Sequence, residues 1–178
     1  RLAHDGAIYF VSLCEAARGR VLRLAGDDAA RGVAAATVIV PEARDAIETS
    51  FARGTGLWAA DDRVYVLYQK GGPNAVKAFG LDGRPEGELP QPELSAVDDL
   101  VVLPGGALLF EIQSFTVPPA WYRRPSGGGA AVRTALAETS PADYSDCEVV
   151  RDEAVSRDGT RVPITCSPSL SMPIRRTS

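Results

Sequence analysis

The sequence predicts an all-β protein of short antiparallel strands whose order of elements repeats along the chain. Three observations carry this reading. Apolar runs rich in β-branched and aromatic residues recur, and each is introduced by turn residues: Asp5-Gly6 before Ala7–Val11, Asp61-Asp62 before Arg63–Tyr68, Pro104-Gly105-Gly106 before Ala107–Phe110. A second strand follows each run after a short loop. A polar turn and a weaker third strand come next, and the whole unit returns after roughly fifty residues. Two architectures fit this pattern alone: consecutive blades of a β-propeller, or a β-sandwich with irregular spacing.

The second strands are Arg20–Leu24, Ala75–Phe79 and Ala120–Arg123, closed by the turns Ala25–Asp28, Leu81–Gly83 and Pro125–Gly128. The third strands are Thr37–Val40, Gly87–Leu89 and Val132–Ala135. A further strand precedes the second and third main runs, over Thr55–Ala60 and Ala96–Val102. Helix is the minor component. Pro41–Ser50 is expected to form a short turn of helix, and Ala29–Ala36 reads as a loop with some helical tendency. After a break at Thr139–Asp143, the runs Glu148–Ser156 and Arg161–Thr165 flank Asp158-Gly159, a hairpin signal. Ser167–Ser178 carries Ser, Pro and Arg without a period and is expected to be disordered.

Composition narrows the partners. The chain has 178 residues, 45% hydrophobic, with a net charge of -4. Its arginines are scattered, so no basic stripe offers itself to a nucleic-acid backbone. No apolar run approaches the roughly 20 residues of a membrane helix, which argues against a membrane partner. The three cysteines, Cys14, Cys147 and Cys166, have no ligand spacing, and His4 is the single histidine, so no metal site is expected. An odd cysteine count fits a reducing compartment; the expected location is the cytoplasm, with the periplasm as the alternative.

Longer motifs resemble a known family. Phe110–Tyr122, containing Ser114-Phe115-Thr116 and Pro118-Pro119, is similar to a late-propeller segment of prolyl oligopeptidases. Thr139–Asp146 is similar to the family's crossing from propeller to hydrolase domain, and Ser156–Ile164 to the hairpin that opens its α/β-hydrolase sheet. Asp5–Phe10 and Ala17–Val21 resemble the start of a mid-propeller blade, and Val40-Pro41-Glu42 is similar to the V-P-E that follows it in the family. The resemblance implies a serine protease of two domains. A Ser-Asp-His triad lies in the hydrolase domain, and a seven-bladed propeller gates it so that only short peptides are cleaved, after proline. It further implies a partial propeller of about three blades over residues 1–141, a linker and first hydrolase hairpin over 142–166, and a tail over 167–178. The expected partners are the hydrolase domain of the same polypeptide and, for the intact enzyme, short proline-containing peptides. From Cys166 onward the chain departs from the family's pattern, so a fragment without the triad is expected.

No residue is assigned to catalysis, a cofactor or a metal. The nucleophile elbow G-x-S-x-G is absent from the sequence. Ser126 precedes Gly127-Gly128-Gly129 in a blade turn, and His4 lies in a turn near the start. Lys70-Gly71-Gly72 lacks the flanking residues of a P-loop, and Gly54-Thr55-Gly56 opens a strand rather than a helix. The pairs Asp27-Asp28, Asp61-Asp62 and Asp98-Asp99 suit turns and strand starts as well as they suit calcium. Pro118-Pro119 and Trp121-Tyr122 fit packing inside a blade better than a peptide groove. The competing function is a non-catalytic propeller-like binding module; the hairpin signal favours the peptidase. The chain alone is therefore expected to leave a proline-ended chromogenic peptide intact and to resist a serine-directed fluorophosphonate. Stoichiometric labelling of any serine refutes this.

Overall fold

A computed structural model describes residues 2–49, 56–144 and 146–166. The first sheet contains β1 (Ile8–Ser12), β2 (Arg20–Leu24) and β3 (Thr37–Val40), in that order. Two short 3-10 helices, Gly26–Arg31 and Val33–Ala35, lie between β2 and β3. The second sheet contains β4 (Ala46–Ile47), β5 (Leu57–Ala59), β6 (Arg63–Gln69), β7 (Asn74–Gly80) and β8 (Pro85–Glu88). Here β4 and β5 share one edge of β6, and β7 and β8 follow on the other side. The third sheet runs β9 (Ser95–Val102), β10 (Leu108–Ser114), β11 (Ala120–Arg124) and β12 (Val132–Ala137). A separate hairpin pairs β13 (Val150–Val155) with β14 (Arg161–Cys166). All pairings are antiparallel, and no sheet closes on itself, so the fold is all-β and resembles part of a propeller.

Strand positions follow the expected order. One element differs. Pro41–Ser50 was expected to include a turn of helix, but Ala46–Ile47 forms β4 against Gln69 and Tyr68. Ile47 is buried, and its amide donates to the Arg18 carbonyl at 2.8 Å, while the Glu48 amide donates to Leu67 at 2.9 Å. These long-range bonds outweigh a local helix preference of a few tenths of a kcal/mol per residue. Ser50 and the expected disordered tail lie outside the described residues.

The core is divided by the second sheet. Side chains alternate across a strand, and both faces of β6 are buried. Val64, Val66 and Tyr68 pack with Tyr9, Val21 and Val40 of the first sheet. Tyr65 and Leu67 face the other way and pack with Leu100, Leu108 and Phe110 of the third. Each such side chain contributes about 1.5–3 kcal/mol through burial. The outward faces of the first and third sheets leave Ile8, Val38 and Val101 exposed.

Polar links reinforce the stack. Asn74 is buried, and its side chain acts as one more rung: Nδ2 donates to the Val97 carbonyl at 2.9 Å, and Oδ1 accepts the Val97 amide at 2.8 Å. In the first sheet, the Tyr9 hydroxyl donates to Asp5 at 3.0 Å, and Arg23 donates to both Asp5 (2.9 Å) and the Tyr9 oxygen (3.1 Å). Burial works to raise the Asp5 pKa, but bonds from Arg23, the Ala7 amide and Tyr9 hold it below the usual carboxylate range. In the hairpin, Asp158 accepts from the Ser156 hydroxyl and the Thr160 amide, which lowers its pKa to about 2. Gly159 takes a positive φ of 84° at the turn. All three cysteines are free thiols.

The β7–β8 turn leans on the first sheet. Gly83 has φ +85°, and a Cβ placed there would stand 1.9 Å from the Ile39 carbonyl oxygen of β3. Glycine is required both by backbone conformation and by this approach. Gly83→Ala is expected to lower stability by at least about 2 kcal/mol, combining backbone strain with the forced displacement of β3. Urea denaturation checks this; an unchanged midpoint contradicts the packing of the turn on β3.

Candidate functional site

The residues weighed for chemistry from the sequence do not converge. Ser126 is exposed in the turn between β11 and β12, and His4 is exposed in the turn before β1, in a different sheet. Lys70-Gly71-Gly72 forms the β6–β7 turn, where Lys70 pairs with Glu88 at 3.0 Å. Asp28 pairs with Arg31, and Asp62 with Arg63. Among the described residues, no group of three or more His, Cys, Asp or Glu side chains is placed to hold a metal. Gly54 and Thr55 lie outside the described residues. Tyr122 stacks with Phe110 at 6.3 Å against the second core, while Trp121 alternates to the opposite face.

A polar hollow of about 340 Å³ does form where β4, β6 and β7 meet β9 and β10. Glu48 and Asp98 contribute carboxylates, Gln69 and Gln113 carboxamides, and Trp58 an aromatic wall. Gln69 donates to Glu48, and Gln113 donates to Asp98. The two pairs are structural equivalents. Gln69 stands opposite Ala46, two residues before Glu48; Gln113 stands opposite Ala96, two residues before Asp98. In β9 the register shifts so that Asp98 is left out of the ladder, with Val97 opposite Ile112 and Asp99 opposite Glu111. Such a bulge re-aims a side chain, here Asp98 toward Gln113.

Among the described residues the hollow presents carboxylate acceptors and carboxamides that both donate and accept hydrogen bonds. Sequence reasoning missed Glu48, Gln69, Asn74 and Gln113, and took Asp98 only as half of an acidic pair. The available signal was the repeated order small, apolar, acidic in Ala46-Ile47-Glu48 and Ala96-Val97-Asp98, with a glutamine at the end of the neighbouring strand.

Beside the hollow lies a smaller cleft of about 240 Å³, walled by Pro73, Leu94, Ser114 and Phe115. The β13–β14 hairpin approaches the same edge of the sheets. The Arg151 guanidinium donates to the Lys70 carbonyl at 2.5 Å. Gly71, at φ +72°, lies so near Pro163 that a Cβ would stand 2.7 Å from its Cγ. The β6–β7 turn is thus shaped to receive the hairpin. Arg151→Ala is expected to speed amide exchange in Val150–Val155 by about tenfold, the loss of one hydrogen bond from a charged donor. Unchanged exchange means the hairpin holds without this contact.

No family model matches the chain, and no curated protein does. Solved structures do. One prolyl endopeptidase, from a study of two such enzymes and the role of inter-domain dynamics in catalysis and specificity, superposes with a TM-score of 0.71 at 23% identity. The match covers 91% of this chain and 23% of that one. Prolyl oligopeptidase B from Galerina marginata, bound to a 35mer hydrolysis and macrocyclization substrate, gives a TM-score of 0.74 at 15% identity, over 96% and 23% of the two chains. Its apo form gives 0.70 at 13% identity, over 96% and 24%. The protein therefore has the fold of one segment of the prolyl oligopeptidases, spanning about 23% of their length.

Proposed function

We propose that this chain is part of the gating propeller of a prolyl oligopeptidase-type serine endopeptidase. The observation that carries the reading is the match of 91–96% of the chain to a part of these enzymes. On this reading residues 1–141 supply about three blades. Residues 142–166 form the linker and first hairpin of an α/β-hydrolase domain, which supplies the Ser-Asp-His triad from the same polypeptide. On the same reading, the edge of the sheets on which that hairpin docks, at the β6–β7 turn, faces the hydrolase domain, and the polar hollow lies on that edge.

The role of this segment is steric and electrostatic. Blades stacked face to face make a rigid wall that an extended peptide can pass and a folded protein cannot. Amides and carboxylates in the hollow exchange hydrogen bonds with a peptide backbone in transit. Short proline-containing peptides are the substrates on this reading, and the cytoplasm is the location. The net charge of -4 fits neither nucleic acid nor an anionic membrane as partner. Among the described residues no helix is long and apolar enough to cross a membrane.

The test is a hybrid enzyme in which residues 1–166 replace the matching segment of a solved prolyl endopeptidase. It is expected to cleave a short proline-containing peptide and to spare a folded protein that displays the same site. A folded hybrid that does not cleave the short peptide refutes the family placement. Cleavage of both refutes the gating role.

A further inference from the structure

We infer that the chain associates with a second copy of itself head to tail. The open face of the third sheet of one copy packs on the open face of the first sheet of the next, as consecutive sheets pack inside the chain. The inference does not depend on the proposed function and concerns the chain of 178 residues.

The three sheets repeat one another position by position. Each of β1, β6 and β10 follows a turn closed by the same backbone bond: the Ala3 amide to the Ala7 carbonyl at 3.0 Å, Ala60 to Arg63 at 2.8 Å, and Leu103 to Ala107 at 2.8 Å. The next residues, Ile8, Val64 and Leu108, are therefore equivalent, and they pair across the turn with Leu2, Ala59 and Val102. Two residues on, Phe10, Val66 and Phe110 are equivalent as well and share the same face. In the second sheet this face packs on the first sheet, and in the third it packs on the second. Val64, Val66, Leu108 and Phe110 are accordingly at most 2% exposed. In the first sheet the same face carries Ile8, Phe10, Leu22 and Val38. No sheet of the described residues covers it, and Ile8 is 38% and Val38 46% exposed.

The opposite faces repeat in the same way. Val21, Val76 and Trp121 stand opposite Val11, Leu67 and Glu111 in their sheets. Val21 and Val76 are fully buried, each in the core shared with the following sheet. Trp121 is only half-buried, and on its face Val101 is 40% and Val132 66% exposed.

A stack with one uncovered face of each kind extends through the contact it already makes twice. A second copy supplies the matching face, so the contact is heterologous, first sheet to third, and not a face against its own kind. Charge favours the same pairing. The first sheet's face carries Arg20, which Glu15 approaches no closer than 3.7 Å. The third sheet's face carries Asp99 and Glu111 against the single cation Arg123, and neither acid makes an ion pair among the described residues. First against third brings unlike charges together, whereas first against first sets Arg20 against Arg20. In a longer polypeptide a further sheet of the same repeat competes for these faces.

The experiment is sedimentation equilibrium of the full chain from micromolar to millimolar concentration. The average mass is expected to rise with concentration. Two double variants change exposed residues only: Ile8→Lys with Val38→Lys on the first sheet, and Val101→Lys with Val132→Lys on the third. Each alone is expected to weaken association at least about a hundredfold. An equimolar mixture of the two retains one intact face of each kind and is expected to form a pair with the affinity of the unmodified contact, and to grow no further. Val155→Lys, on the exposed hairpin, leaves association unchanged. A chain that stays monomeric throughout, association lost in only one double variant, a mixture that stays monomeric, or loss of association in Val155→Lys each overturn the inference. Circular dichroism checks that the variants fold. Should a lysine pair unfold the chain, threonine at the same two positions replaces it, with association expected to weaken about tenfold.

Discussion

Burial of β6 on both faces is the constraint from which the rest of the structure follows. Val64, Val66 and Tyr68 on one side and Tyr65 and Leu67 on the other cannot be hidden by a single layer. A sheet must therefore lie against each face of the second sheet. The first sheet covers one face and the third covers the other, and no helix of the described residues takes part. The near-continuous apolar run Val64–Tyr68 is the signature of such a strand.

Stacked sheets need registration, and short polar links supply it. Asn74 extends the second sheet by one rung toward Val97, so the third sheet cannot slide without breaking two buried bonds. Gly83 lets the β7–β8 turn touch Ile39, which fixes the outer parts of the first and second sheets. These contacts sit at opposite ends of β7, one near Asn74 and one beyond Gly80. The polar hollow opens at a strand end, where β6 finishes at Gln69.

The repeat is therefore structural before it is chemical. The pairs Glu48–Gln69 and Asp98–Gln113 occupy equivalent places in successive sheets and make the same bond.

Much of this was legible from the sequence. Period-two patterning and turn residues determined the all-β class, the order of the strands and most of their positions, because alternation and glycine-rich turns are local properties of the chain. The sequence motifs pointed to the same family of folds that the solved structures match. What only the tertiary structure decided were features made by residues far apart. The strand at Ala46–Ile47 exists because β6 supplies its partners, and its own residues do not specify it. The hollow needed the register of β9 against β10, including the shift at Asp98, before its carboxylates and amides met. No local pattern encodes such a meeting, because a side chain's partners are set by sheet stacking and not by its neighbours in sequence.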